Sequence, residues 1–248
     1  MVAFRSLLHV VMWFFLFGPS SAVSESLPMI PPEDRLSLSA VGVIYSVGRD
    51  GSALCTGTLV ARDLVITSAH CIKKNAGLLH NIKFVAGMNG TRHVANSGSI
   101  EVHQHPIWGK ASGHRKFRYD VAVVRLSRPI AKGRVQPLRL FSGKGVRSEY
   151  SALLGYGGQE ALSLHGRFDC TLSSMSSQGL YASDCPASKG NSGGAVLTKG
   201  DNGWELAGVI VAFKRRSKAA VVVELDDWLR GHVTDALQRE EMMVARVQ

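Results

Sequence analysis

Between residues 38 and 126 the chain is a series of short apolar runs, AVGVIYSV, ALCTGTLV, LVITSA, IKFVAGM, SIEVHQH and VAVVRL, separated by clusters of Gly, Asn, Asp and Ser. Short runs punctuated in this way predict β-strands, and no long helical periodicity competes with them here. A second set begins at residue 150: YSALLGYG, GRFDCTLSSM, GLYASDC, GGAVLT, WELAGVIVAF and AAVVVEL, with Asp201-Asn202-Gly203 as a turn signal between two of them. Between the sets lies a stretch rich in Pro, Gly and basic residues, 129–147, which reads as a connection. The expected architecture is therefore all-β, with one barrel over 36–128 and another over 148–225. After that the period changes: Leu225, Trp228, Leu229, Val233 and Leu237 fall on one stripe, predicting an amphipathic α-helix within 226–248 that packs on the body.

The N-terminus is different in kind. One charge, Arg5, precedes the apolar run 7–17, then Gly18-Pro19 and the small residues Ser20 and Ala22. This predicts a secretory signal peptide over 1–22, cleaved before Val23, with 23–35 as an N-terminal extension. A run of eleven residues is too short for a bilayer span, which takes about 20. The expected product is a secreted chain, periplasmic or extracellular, with no transmembrane anchor in its mature form.

Four cysteines, Cys55, Cys71, Cys170 and Cys185, all follow the signal, and export favours their pairing. Four cysteines allow three connectivities, and spacing alone does not choose among them. No CxxC pair is present, which argues against zinc. The formal net charge of +10 is concentrated at 110–118, 125–139 and 214–218. Such a surface favours anionic surfaces or polymers as partners, but without interleaved aromatics or recognisable motifs no nucleic-acid binding is predicted.

The chemistry is concentrated in CPASKGNSGGAV, residues 185–196, where Ser192 stands between Gly190 and Gly193-Gly194 ahead of an apolar strand. A serine so placed can expose its hydroxyl with backbone N–H groups converging before it, as acyl transfer requires. A base and an orienting carboxylate are available upstream: His70 in LVITSAHC and Asp120 in RYDVAVVRL.

Together TSAHC, YDVAVVRL and GNSGGAV resemble, in order, the signature segments of the trypsin-like (chymotrypsin-fold) serine proteases, over roughly residues 33–230. The opening segment and the form GNSGG are closer to secreted bacterial members, including glutamyl endopeptidase-like proteins. The resemblance implies two six-stranded antiparallel Greek-key β-barrels followed by the C-terminal helix. It also implies a secreted serine endopeptidase acting through an acyl-enzyme, with His70 as base, Asp120 as its orienting partner and Ser192 as nucleophile. Gly190 and Ser192 would supply the oxyanion hole, and the disulfides would be Cys55–Cys71 and Cys170–Cys185. A polypeptide substrate, a monomer, and no cofactor or metal are expected.

Departures from the family pattern shape this reading. Asn191 replaces the aspartate that pairs with a new N-terminus in activatable enzymes, so activation by that ion pair is not expected. Val211 stands where many relatives carry a serine touching the catalytic aspartate. The specificity pocket would involve Pro186, Ala187, Lys189, Ile210 and Phe213. No carboxylate supports cleavage after Arg or Lys, and Ile210 replaces the histidine of glutamyl endopeptidases. A small or apolar preference remains, or an acidic one drawn by Lys189, Lys214 and Arg215.

The sequence carries two further patterns of this kind. His93, His103 and His105 suggest a metal cluster, and GNSGG also fits an α/β-hydrolase nucleophile elbow with His232 as its later histidine. The first resembles a surface loop of the family, with His114 solvated nearby, and the second lacks the βα alternation it needs. The main alternative in another class is a catalytically weak or inactive protein of this fold that binds anionic envelope polymers through its basic surface.

Overall fold

The computed structural model describes residues 26–48, 51–74, 77–78, 82–143, 145–146, 149–176, 179–201 and 203–246. The expected signal peptide and the first residues of the extension lie outside this set, as does Asn202 of the predicted turn.

After a short helix α1 (Pro32–Arg35), the first half contains β1 (Val41–Gly48), β2 (Gly51–Ala61), β3 (Leu64–Thr67), β4 (Lys73–Lys74), β5 (Gly77–Leu78), β6 (Ile82–Ala86), β7 (Ala95–Gln104), α2 (Arg115–Arg118) and β8 (Ala122–Leu126). Strands β1-β2-β3-β8-β7-β6 close into an antiparallel barrel, and β4-β5 form a separate ribbon. The second half contains β9 (Ser151–Tyr156), β10 (Leu164–Cys170), β11 (Leu172–Ser176), β12 (Leu180–Pro186), β13 (Ala195–Gly200), β14 (Gly203–Phe213), β15 (Ala219–Glu224) and the helix α3 (Asp227–Ala245). Its sheet is a curled antiparallel one in the order β10-β9-β13-β14-β15-β12-β11. This second sheet has seven strands instead of six because the run 166–175 breaks at Thr171 into β10 and β11. The architecture is the chymotrypsin fold.

The alternation of side chains explains why so many runs are apolar on both faces. In β8, Ala122 and Val124 fill the first barrel with Ile44, Leu59, Val65 and Phe84. Val121 and Val123 face the other way, into a core shared with Leu154, Tyr156, Leu197, Val209 and Val221 of the second half. In β9, Leu153 points into the second sheet's own core with Val196, Ile210 and Val222, while its neighbours Ala152 and Leu154 join the shared core. A strand buried on both faces loses the polar alternation of a half-exposed one. The shared core fixes the two halves against each other, and the site lies along that junction.

Helix α3 begins at an N-cap, Asp226, whose side chain accepts from the N–H of Leu229 at 3.0 Å. Leu225, Leu229 and Val233 are buried as the stripe predicts and Trp228 is half-buried, but Leu237 is exposed, and the buried positions beside it are Ala236, outside the stripe, and Glu240 one turn on. That carboxylate sits 3.1 Å from Lys132 Nζ and accepts from the N–H of Arg62.

Candidate active site

His70 sits in a single 3₁₀ turn, Ala69–Cys71, at the end of β3, where the buried run gives way to a half-open surface. Asp120 lies two residues before the start of β8, which pairs with β3 (Thr67 opposite Ala122), so the two side chains meet at the ends of adjacent strands. The contact is double. The backbone N–H of His70 donates to Oδ1 of Asp120 at 2.8 Å, and its ring Nδ1 lies 2.6 Å from Oδ2. The carboxylate is only 7% exposed against 40% for the imidazole. Asp120 is thus held by His70 itself, with Val211 buried in the shared core instead of offering a hydroxyl. The amide of Gln104 donates to the Ala69 carbonyl at 2.9 Å, and the Ser68 hydroxyl to that of Ile210 at 3.1 Å, bracing the turn from both halves.

The Ser192 loop comes from the second half, between β12 and β13, and touches the first. The carbonyl of Ser192 accepts from the N–H of Thr56 at 2.8 Å. Nε2 of His70 and the Ser192 carbonyl oxygen lie 3.7 and 3.8 Å from one sulfur, Sγ of Cys71. Both are packing contacts, because that sulfur is bonded to Cys55 and carries no hydrogen. The disulfides are Cys55–Cys71 and Cys170–Cys185, the pairs the resemblance implied. The first ties the His70 turn to β2, and the second ties β10 to β12 ahead of the loop.

Two glycines give the loop its shape. Gly190 has φ +98°, and a Cβ there would stand 2.7 Å from the Tyr156 carbonyl oxygen. The Lys189 carbonyl accepts from Gly158 N–H at 3.3 Å. In a trans peptide the following N–H points the opposite way, so the Gly190 N–H is turned away from Gly158. Among the described residues, neither this N–H nor that of Ser192 has a protein acceptor. Gly193, at φ +81°, is hemmed in by Thr56 O and Thr67 Oγ1, which a Cβ would meet at 2.0 and 2.3 Å. Asn191, 1% exposed, is held at both ends of its amide: its Oδ1 accepts from Ser188 N–H at 2.8 Å and Oγ at 3.1 Å, and its Nδ2 donates to Tyr156 O at 3.2 Å. The loop is therefore tied down by a neutral side chain.

Beside the loop is a cavity of about 580 Å³ lined by Ser26, Gly158, Gln159, Ala187, Ser188, Lys189, Phe213 and Lys218. Of the predicted pocket residues, Ala187, Lys189 and Phe213 face it, whereas Pro186 and Ile210 are buried and do not. Lys218, part of the basic run 214–218, is not among the pocket residues expected from the sequence. It has φ +57°, and its Nζ lies 5.8 Å from the centre of the Phe213 ring. The lining contains two ammonium groups and no carboxylate.

His93, His103 and His105 are each engaged with a separate polar partner. β7 ends at Gln104, so His103 and His105 do not share a strand face. His103 lies 2.7 Å from Glu101 and stacks on His232 at 5.3 Å, while His105 turns inward, 3.3 Å from Asp226. His93 contacts Asn96, and His114 stands beside Phe117. His232 packs on Trp228 within α3, in an antiparallel fold without the βα alternation of the hydrolase alternative. Cys55, His70 and Cys71 bring three ligand-type atoms together, as do Asp169, Cys170 and Cys185, but the sulfurs of both groups are consumed in disulfides.

Comparison with known proteins agrees with this architecture. A glutamyl endopeptidase structure superposes with a TM-score of 0.71 at 18% identity, covering 86% of this chain and 97% of its own. The protease Anisep from Arthrobacter nicotinovorans gives 0.67 at 15% identity, covering 80% and 95%. The thermostable serine protease AL20 from an extremophilic microorganism gives 0.64 at 18%, covering 76% and 92%. In sequence, human chymotrypsin-like elastase family member 3A is 29% identical over 127 residues, 47% of this chain and 44% of the relative, so under half of that protein's length is matched. The trypsin family pattern matches residues 39–229, well over half of the chain. The chain belongs to the trypsin family of serine proteases.

Proposed function

We propose that the chain is a secreted serine endopeptidase that uses His70, Asp120 and Ser192 through an acyl-enzyme intermediate. The observation that carries this reading is the double contact between His70 and Asp120, with His70 Nε2 and the Ser192 carbonyl oxygen 3.7 and 3.8 Å from the same Cys71 sulfur. A carboxylate on Nδ1 holds the ring in the tautomer whose Nε2 can accept a proton. As Ser192 Oγ attacks a peptide carbonyl, its proton passes to Nε2, and the imidazolium forms against the Asp120 carboxylate. The charge developing on the carbonyl oxygen falls to the N–H groups of Gly190 and Ser192, a donor worth about 3 to 4 kcal/mol each. His70 then returns the proton to the leaving amine, and water enters by the same route to release the acyl group. Beyond Val209 the edge of β14 facing away from β15 has no strand partner among the described residues, so Val211–Phe213 can receive an extended substrate by strand addition.

The cavity beside the loop, with Lys189 and Lys218 on its walls, favours an acidic side chain before the cleaved bond over a basic one. Exposure of a mixed peptide library to the wild type and to Ser192→Ala, read by mass spectrometry, tests the whole reading. Cleavage by the wild type alone is expected, and cleavage by both would remove Ser192 from the mechanism. Among the described residues no helix is long and apolar enough to cross a membrane, and secretion is tested by locating the processed chain outside the cytoplasm.

A further inference from the structure

We propose that Thr56 is a positioning residue for this reaction: its buried hydroxyl reaches from the first barrel to the Ser192 loop and sets the aim of the oxyanion donors. The proposal rests on the peptidase reading above. Thr56 is 0% exposed, one of two buried threonines of β2 with Thr58. A hydroxyl has one hydrogen to give and lone pairs to accept with. Here Oγ1 accepts from the N–H of Tyr156 at 2.8 Å and donates to the carbonyl of Gly190 at 2.8 Å. The Tyr156 carbonyl, at 3.4 Å, is the weaker competitor for that hydrogen. The backbone of the same residue donates to the Ser192 carbonyl at 2.8 Å and accepts from Thr67 Oγ1 at 2.7 Å.

One residue thus grips the carbonyls of both Gly190 and Ser192, the two residues whose N–H groups would receive the oxyanion. Fixing those carbonyls fixes ψ at each residue. At Gly190 this matters most: its N–H lies in the plane of the Lys189 carbonyl, which the Gly158 N–H holds at 3.3 Å. The held Gly190 carbonyl fixes the other side of the same Cα, so a glycine at φ +98°, otherwise free to turn at little cost, cannot carry its N–H out of the cleft. Tyr156 N–H adds a second anchor on β9, so the hydroxyl joins the barrel that carries His70 and Asp120 to the sheet that carries Ser192. Asn191 braces the loop only from within the second half. Among the described residues, Thr56 is the one side chain from the half that holds the base to hydrogen-bond the loop.

A donor displaced by a fraction of an ångström weakens a contact made only in the transition state, so kcat falls and KM does not. The test uses Thr56→Val, which keeps the shape and removes the hydroxyl, and Thr56→Ser, which keeps the hydroxyl and removes a methyl. Each is assayed on a peptide ester well below its melting temperature, after fluorophosphonate labelling of the wild type. The expected result is a fall in kcat of about 10- to 100-fold in Thr56→Val with KM within about twofold, and an equal loss of affinity for a peptide boronate but not for a product peptide. Thr56→Ser should stay within about threefold of the wild type, although it loses packing. If Thr56→Val does not fold, Thr56→Ala carries the same expectation. A folded hydroxyl-less variant with wild-type kcat would overturn the role of Thr56 alone. An unlabelled wild type would overturn the peptidase reading and this proposal with it.

Discussion

His70 and Asp120 are joined twice, through the backbone N–H to Oδ1 at 2.8 Å and through Nδ1 to Oδ2 at 2.6 Å. The backbone bond orients the carboxylate whatever the state of the ring, and the ring bond selects the tautomer. Asp120→Asn can keep the first by turning its amide oxygen to the N–H, which then presents an NH2 to Nδ1 and favours the wrong tautomer. The expected outcome is a fall in kcat of about 10,000-fold with the fold retained, read from steady-state kinetics beside circular dichroism.

Asn191 offers a second test, since its amide uses both ends. Asn191→Asp sets an anionic oxygen against the Tyr156 carbonyl, where Nδ2 now donates at 3.2 Å, at a site 1% exposed. Among the described residues the hydrogen-bond partners of this side-chain amide are Ser188 and Tyr156, neither of them cationic. The variant should lose about 3 kcal/mol, seen as a lower denaturant midpoint, and lose turnover with it. An unchanged midpoint would mean that the loop does not depend on this amide.

Gly193 admits no side chain. Its φ of +81° strains any L-residue, and the atoms in the way of a Cβ are Thr56 O and Thr67 Oγ1, both in the first barrel. Gly193→Ala should therefore push the loop away from that barrel and cost about 3 kcal/mol or more. Thermal melting measures the cost, and a variant as stable as the wild type would contradict this packing.

Acid should destabilise the fold through the face that receives α3. Burial pushes the pKa of His105 down, against the pull of Asp226 and with the help of Arg118. Geometry agrees, because the N–H of Ile107 donates to its Nδ1 at 3.2 Å and so occupies the site a second proton would need. Burial also lowers His232, assisted by the neighbouring His103 and Arg239 and opposed by Asp235 and Glu101. Both are held neutral when folded, so below the ordinary histidine value of 6.5 the unfolded chain binds more protons. Stability is present above that pH and is lost as the pH falls through it towards the depressed folded values. Melting temperatures between pH 7.5 and 5 should decline, and less steeply in His232→Gln.

Much of this was legible in residue order. Short apolar runs between turn formers gave away the strands, and their double-sided apolarity is the mark of strands caught between a barrel interior and a shared core, as in Val121 to Val124. The break at Thr171 was not legible, because a bend inside a run carries no Gly or Pro to announce it. The segments around His70, Asp120 and Ser192 stand out because a polar residue ends or opens an apolar strand. Thr56, Gln104 and Lys218 carry no such mark: each acts through a partner more than thirty residues away or through a backbone conformation, which spacing does not encode. Leu237 fits the stripe in sequence yet is exposed, while Glu240, one turn on, is buried by its bonds to Lys132 and the Arg62 N–H, a pairing across the fold that periodicity does not encode.

The most direct measurement is labelling of the purified chain, beside its Ser192→Ala variant, with a fluorophosphonate probe, followed by mass mapping of the adduct. The account predicts one phosphonylated residue, Ser192, in the wild type and none in the variant. A folded wild type that takes no label, or takes it at another residue, would contradict the assignment of Ser192 as nucleophile.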